Sequence, residues 1–595
     1  MTPGVSRRTI LKGLAAASLL CALPRKFLAA GLNAGDTLRH RVRPSDAAWP
    51  GASDWQKLAD DVGGNLIKVR SLMEATDAKK NLQNPFFIGD QPAGTQVSGW
   101  LDAWTPASSV YAVQARETAH IVAAVNFARE HQLRLVVKGA GHSYQGTSNS
   151  PDSLLVWTRA MNDVTLHDAF VPKGCEKQVA AVPAVSAGAG AVWIDLYHAV
   201  TSEGGRYVQG GGCTDVGVAG LVQSGGFGSM SRGFGTAAAS LLEAEIVTAD
   251  GVARTVNACS DPELFWALQG GGGGSWGVVT RVTLRTHDLP EHFGAAWGTI
   301  KASSDDSFRR LIARFFDFYS ENLFNPHWGE QIALDTDNSL KIAMNCQGLT
   351  AVEARASWQP FLDWVRAAGL DYSFTHQPGA GAWSARHWWD VNGKSDMIPD
   401  SRPGVPKYHG WWKGDQDQVG GFIYGYDSLW LPAALLKAEN KPRLMDALFS
   451  SSRHKKVLLQ FNKGLAGGAA PAIAATRRTA TNPAVCDAFA LVIIADGEGP
   501  AYPGLARPPI DLTAAHKTTQ QIKLAAAALR AIAPDAGSYV SESDYFNAQW
   551  QQAYWGDNYA RLKAVKAKYD PDELFFVHHG VGSESWSPDG FTRLS

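Results

Sequence analysis

The chain has 595 residues, 45% of them apolar, and a formal net charge of −1. That length is too great for one ordinary hydrophobic core and predicts two or more domains, while the apolar share excludes a disordered chain. Neither sign of charge forms a long run, which argues against a nucleic-acid surface.

The N-terminus reads as a targeting segment over residues 1–30. Ser6-Arg7-Arg8-Thr9-Ile10-Leu11-Lys12 is a twin-arginine pattern, followed by an Ala/Leu-rich run from Gly13 to Leu23 with no acidic residue before Asp36. The run is well short of the ~20 residues of a membrane-spanning helix. The segment therefore predicts a periplasmic or secreted protein that engages the twin-arginine machinery and keeps no stable membrane span. The cysteines are Cys21, Cys175, Cys213, Cys259, Cys346 and Cys486, with no zinc spacing, so no metal is expected. Export permits disulfides, but the spacing leaves their pairing open.

Arg116 to His131 carries Ile121, Val125 and Ala128 at helical spacing, and Leu133 to Lys138 reads as a strand. The strand runs into Gly139-Ala140-Gly141-His142-Ser143-Tyr144-Gln145-Gly146. A second helix, lined by Trp193, Leu196, Tyr197 and Val200, stops at Gly204-Gly205, and a strand from Arg206 to Val208 leads to Gly210-Gly211-Gly212-Cys213. Asp250-Gly251 is a hairpin signal between Glu245–Ala249 and Val252–Val256. Pro262 opens a short helix through Leu268; Gly270 to Gly274 and a strand from Val278 to Arg285 follow. From about Leu289 to Val540 the chain is rich in tryptophan and mixes strand-like runs, Val457–Phe461 and Ala488–Ile494, with amphipathic helices. Those tryptophans are either core packing or a platform for sugars. Tyr554 to Tyr569 reads as one helix stopped before Pro571.

The glycine loops carry the chemistry. Gly139 to Gly146 offers consecutive backbone N–H groups suited to pyrophosphate oxygens. It is not the G-x-G-x-x-G fingerprint, because the third glycine falls on Tyr144, so a nicotinamide enzyme is disfavoured. Gly211 to Gly228, with further glycines at 217, 220, 225 and 226, lets backbone approach an elongated ligand.

In chain order, G-x-G-H-S-x-x-G at Gly139–Gly146 and G-x-C-x-x-V-G-V-x-G at Gly211–Gly220 are joined by several further segments. These are Glu245–Gly251, Asp261–Ala267, Trp276–Thr280, Trp555–Tyr559 and Tyr569–Pro571. Together they resemble the vanillyl-alcohol-oxidase type of FAD-binding domain, most closely its berberine-bridge-enzyme-like branch. The resemblance implies an α+β fold with three parts: a two-subdomain FAD-binding domain (31–289), a substrate domain with an antiparallel sheet covered by helices (290–540), and a C-terminal segment (541–595) that returns to the first domain. It implies FAD held twice, by His142 at the 8α carbon and Cys213 at C6, as a neutral imidazole nitrogen and a thiolate. Further flavin contacts fall on Gly139, Ala140, Gly141, Ser143, Gly146, Gly217, Gly220, Ser224, Gly228, Val279, Asn558 and Tyr559. Ala140 and Ala239 depart from the family pattern.

By the same resemblance, substrate hydride passes to flavin N5 while a base in the second domain's sheet takes a proton. Tyr539 is the candidate base, Tyr426, Gln460 and Asn462 are weaker candidates for substrate contact, and Val216 stands where a small side chain admits oxygen. The expected activity is an oxidase that makes hydrogen peroxide from oxygen, acting on a sugar or another small alcohol, aromatic and alkaloid-like ones included. The alternatives are a dehydrogenase that passes electrons to a quinone or cytochrome, and a non-catalytic binding module.

Overall fold

The computed structural model describes residues 39–393 and 396–594. The twin-arginine segment, with Cys21, lies outside them.

Helix Thr118–Glu130 buries Ile121, Ala124, Val125 and Ala128, the face that the spacing marks. That face covers a four-stranded sheet in the order Leu66–Lys68, Tyr111–Gln114, Ser153–Trp157, Arg134–Lys138. The last two strands are parallel neighbours, so Arg134–Lys138 delivers Gly139 and His142 at the sheet's C-terminal end. A second, antiparallel sheet has the order Ala253–Asn257, Leu241–Val247, Val278–Arg285, Val182–Gly188, Val164–Phe170. Gly251 turns its hairpin with φ +76°. Cys175 and Cys259 form a disulfide, whereas Cys346 and Cys486 are buried free thiols.

The second unit is built on an eight-stranded sheet. Its order is Tyr372–Ser384, His292–Ala302, Ser339–Gln347, Trp328–Leu334, Val457–Gln460, Ala488–Glu498, Gly421–Pro432, Val97–Trp100. Helices Asp305–Phe318, Ala351–Ala367, Lys441–His454 and Leu512–Arg530 pack Phe308, Phe361, Leu448 and Ile522 onto one face, against Ile332, Leu459 and Val492. Alternation sends Gln331, Leu458, Gln460 and Ile493 to the opposite face, which lines the main cavity.

Two features differ from the sequence reading. Val97–Trp100, placed by the boundary at 289 in the first domain, pairs parallel with Gly421–Pro432 and completes the second unit's sheet. The C-terminal helix is two helices, Trp550–Trp555 and Asn558–Tyr569, because Gly556 takes φ +53° between them. The second helix lies on Pro262–Leu268, with Arg561 bonded to Glu263 at 2.9 Å, and Phe575 bridges to Leu135. Among the described residues no helix is long and apolar enough to cross a membrane.

Candidate active site

A cavity of about 2020 Å³ runs between the two units. Its walls include the loop Gly139–Gln145, the loop Gly211–Cys213 with Val216, Gly217, Gly220 and Ser224, the run Gly272–Ser275, Val279, and the open face of the large sheet. The His142 loop leaves the end of its strand through Gly141, at φ +82°, where a Cβ would stand 3.1 Å from the Gly94 carbonyl.

The Cys213 loop is clamped by the helical stretch from Trp193 to Glu203. Trp193 N–H donates to the Val216 carbonyl at 3.1 Å, Ile194 N–H to Thr214 at 2.9 Å, and the Tyr197 hydroxyl to Gly211 at 2.5 Å. From the other side Thr214 Oγ1 donates to the Gly410 carbonyl at 2.6 Å and Trp412 Nε1 to Gly212 at 3.3 Å. The two loops touch where Gly217 meets Ala140: a Cβ on Gly217 would lie 3.3 Å from the Ala140 nitrogen. His142, Cys213 and the glycines between them therefore share one wall.

The cavity suits a long polar cofactor. Gly220 has no atom within 4 Å of where its Cβ would be, and Gly212 only the Glu330 carboxylate at 3.8 Å, so bare backbone faces the space. Gln223 Oε1, Ser275 Oγ, Asp415 Oδ2, Gln460 Oε1, Asn462 Oδ1 and His579 Nδ1 line it as buried atoms with no protein partner. Buried polar atoms left so are expensive, and a bound group satisfies them.

Carboxylates crowd the covalent candidates. His142 Nε2 is bonded to Asp215, which is buried. Asp415, on the short helix Lys413–Gln418, stands beside Cys213 at the same cavity. Burial, with Asp415 and Asp215 beside it, pushes the Cys213 thiol well up, so the expected thiolate is a protonated thiol here. Burial and Asp215 in turn raise Asp415 to about 6.

Tyr426 lies on the sheet and lines the cavity, as do Gln460 and Asn462. Tyr539 also lines it, but from the turn around 537–542 and not from the sheet, edge-on to Phe227 at 5.0 Å. Burial and Glu542 push its phenol up; Lys463, 5.7 Å from its ring, is engaged with Glu542 at 2.5 Å. A carboxylate that the sheet does bring beside the Cys213 loop is that of Glu330, which the sequence reading missed. It accepts from Ser229 Oγ at 2.5 Å and Asn462 Nδ2 at 3.4 Å, and burial raises its pKa.

Four residues expected to touch the flavin do not line the cavity and pack against protein instead. Gly146 packs on Trp104 and Gly228 on the Gly210 carbonyl, each so closely that an added Cβ would clash. Asn558 donates to the carbonyls of Ala480 and Thr481, and Tyr559 to Glu584 at 2.6 Å. Of the tryptophans, Trp328, Trp358 and Trp430 are core, whereas Trp297 and Trp383 are 36% and 50% exposed, 6.4 Å apart and stacked at the cavity wall.

Comparison with known proteins agrees with this geometry. Residues 110–257 match the FAD binding domain, and residues 538–582 match the family described as berberine and berberine like. The FAD-linked oxidoreductase patO of Penicillium expansum is 26% identical, over 97% of each chain. The crystal structure of the VAO-type flavoprotein MtVAO615 from Myceliophthora thermophila superposes with a TM-score of 0.74 at 24% identity, over 93% of this chain and 99% of that one. A glucooligosaccharide oxidase from Acremonium strictum gives 0.62 at 20%, over 82% and 94%. With the FAD binding domain, the berberine-like segment and the cavity that both help to line, the chain is an FAD-dependent oxidoreductase whose fold is similar to that of VAO-type flavoproteins.

Proposed function

We propose that the protein is an exported oxidase that holds FAD through both His142 and Cys213 and oxidises an alcohol carbon of a small carbohydrate, with oxygen as the acceptor. The observation that carries this reading is that one cavity has both nucleophiles at one wall and the Trp297–Trp383 pair at another. The Acremonium oxidase, whose FAD is described as 6-S-cysteinyl, 8α-N1-histidyl, supports the double attachment. Aromatic faces stack on sugar C–H groups, and two exposed stacked indoles at the cavity wall suit that better than core packing.

Bound FAD supplies the hydride acceptor. The chain supplies the proton acceptor, and the reading gives that role to Glu330. Its carboxylate sits in the sheet and ionises far more readily than a buried phenol beside Glu542. Tyr539 then serves as a hydrogen-bond donor to substrate. Val216, packed beside the loop it ends, leaves room for oxygen. The twin-arginine segment accounts for delivery across the membrane as a folded holoprotein, and covalent bonds keep the cofactor from being lost outside.

The test is anaerobic mixing with a panel of oligosaccharides, aromatic alcohols and alkaloid-like alcohols, followed by admission of air. Bleaching of the flavin band by oligosaccharides, and its return with hydrogen peroxide at least as fast as turnover, is the expected result. Bleaching only by aromatic or alkaloid-like alcohols refutes the substrate class. Reoxidation slower than turnover refutes oxygen as acceptor and leaves a quinone or cytochrome.

A further inference from the structure

The double attachment raises a chemical difficulty that the surrounding residues resolve. A thiol attacks an electron-poor carbon only as thiolate, and Cys213 is half-buried in the cavity wall, where desolvation and the neighbouring carboxylates Asp415 and Asp215 favour the protonated thiol. An imidazole attacks only through a nitrogen with a free lone pair, so its tautomer must be set. Each nucleophile has its own carboxylate, Asp215 buried and Asp415 half-buried with its Oδ2 buried. His142 Nε2 is bonded to Asp215, three positions from Gly212 in the same loop as Cys213, while Cys213 has Asp415 beside it at the cavity, brought from the other unit of the chain by a segment hydrogen-bonded to the Cys213 loop.

Resting on the reading that both bonds exist, we propose that Asp215 and Asp415 are the two catalytic carboxylates of self-flavinylation, each dedicated to one bond. Asp215 accepts from Nε2–H, which fixes the tautomer with its lone pair on Nδ1, and stabilises the charge that develops when Nδ1 bonds to the flavin 8α carbon. Asp415 takes the Cys213 thiol proton as sulfur bonds to C6. One oxygen of Asp415 has no protein partner and is free to hold that proton. Each bond leaves two electrons and two protons on the flavin, one proton from the protein nucleophile and one from the flavin carbon. Dioxygen takes both pairs, one molecule per bond, and leaves as hydrogen peroxide.

The division of labour has a structural consequence. Asp415 lies on a segment whose other anchors also reach the Cys213 loop: Gly410 accepts from Thr214, and Trp412 donates to Gly212. The cysteinyl bond therefore needs the second unit folded over the first, whereas the histidyl bond needs only groups of the first.

Tryptic-peptide mass analysis of purified holoprotein separates these roles. Wild type should carry flavin mass linking the His142 and Cys213 peptides. Asp415→Asn should keep the histidyl bond and lose the cysteinyl bond at least tenfold, with flavin still retained through gel filtration. Asp215→Asn should show the reverse, and Asp415→Glu should restore the cysteinyl bond. A merely structural role for either residue would lower both bonds together, and that pattern, or an unchanged wild-type pattern in both Asn variants, overturns the assignment. Wild-type protein that releases all its FAD in acid overturns instead the double attachment on which it rests.

Discussion

Glu330 holds a left-handed backbone, φ +62°, in the middle of the strand Trp328–Leu334. Such a conformation costs of order 1–3 kcal/mol in a non-glycine residue and persists where function uses it. Its neighbours explain the effect. Trp328, Ile332 and Leu334 point into the helical core, so plain alternation would send Glu330 there too. The reversed φ instead leaves its carboxylate at the cavity, against Ser229 and Asn462. Nothing local in Trp328-Gly329-Glu330-Gln331 announces this, which is why a sequence reading reached Tyr539 through its motif and passed over Glu330. Glu330→Gln keeps the shape and the Ser229 contact but cannot take a proton. Its kcat should fall by about 10²–10⁴-fold, the usual worth of a general base, with KM nearly unchanged. Tyr539→Phe removes one hydrogen bond and should cost roughly tenfold. Steady-state kinetics decides between them, since a larger loss in Tyr539→Phe returns the proton to the tyrosine.

At the scale of elements, local signals were strong where one segment decides its own structure. The helix ending at Glu130, the Asp250-Gly251 hairpin and the Pro262 helix follow from spacing, a turn dipeptide and a first-turn proline. The glycine loops could be matched to a cofactor because their sequence is the binding surface. The break at Gly556 was missed, since glycine is tolerated inside a helix and only the tertiary fit makes it turn to φ +53°. Links between distant elements were also out of reach. Lys566, fully inside the structure, donates to the carbonyls of Ser275 and Phe575 at 2.7 Å and pairs with Asp570 at 2.6 Å. One ammonium thereby pins the glycine run, the last helix and the tail together. Lys566→Met leaves the Asp570 carboxylate buried without its cation, which should cost about 3–5 kcal/mol. Denaturant titration of the holoprotein checks this, and a loss below about 1 kcal/mol would show that the pin is redundant.

At the scale of the whole molecule, a change in composition near Leu289 marks a boundary, but no composition reveals that Val97–Trp100 crosses it to close the large sheet. Pairing between strands over 300 residues apart leaves no periodic trace. The junction itself carries a titratable group, His287, whose short strand pairs with Arg206–Tyr207 just before the second unit begins. Phe234 and Tyr207 pack near its ring, and Arg285, Arg206 and Asp288 are the charges facing it. Burial, helped by the two arginines, lowers it from 6.5 to about 4. In that window the unfolded chain binds a proton that the folded one refuses, so unfolding takes up protons as pH falls. The stability this neutral histidine permits is complete above pH 6.5 and is lost as pH drops through 5 towards 4. Between pH 7 and 5 the loss amounts to about 1–2 kcal/mol. His287→Asn removes the titration, so its thermal midpoint should fall less than that of wild type over the same interval. Parallel melting curves for the two proteins at pH 7 and pH 5 would place the acid sensitivity elsewhere.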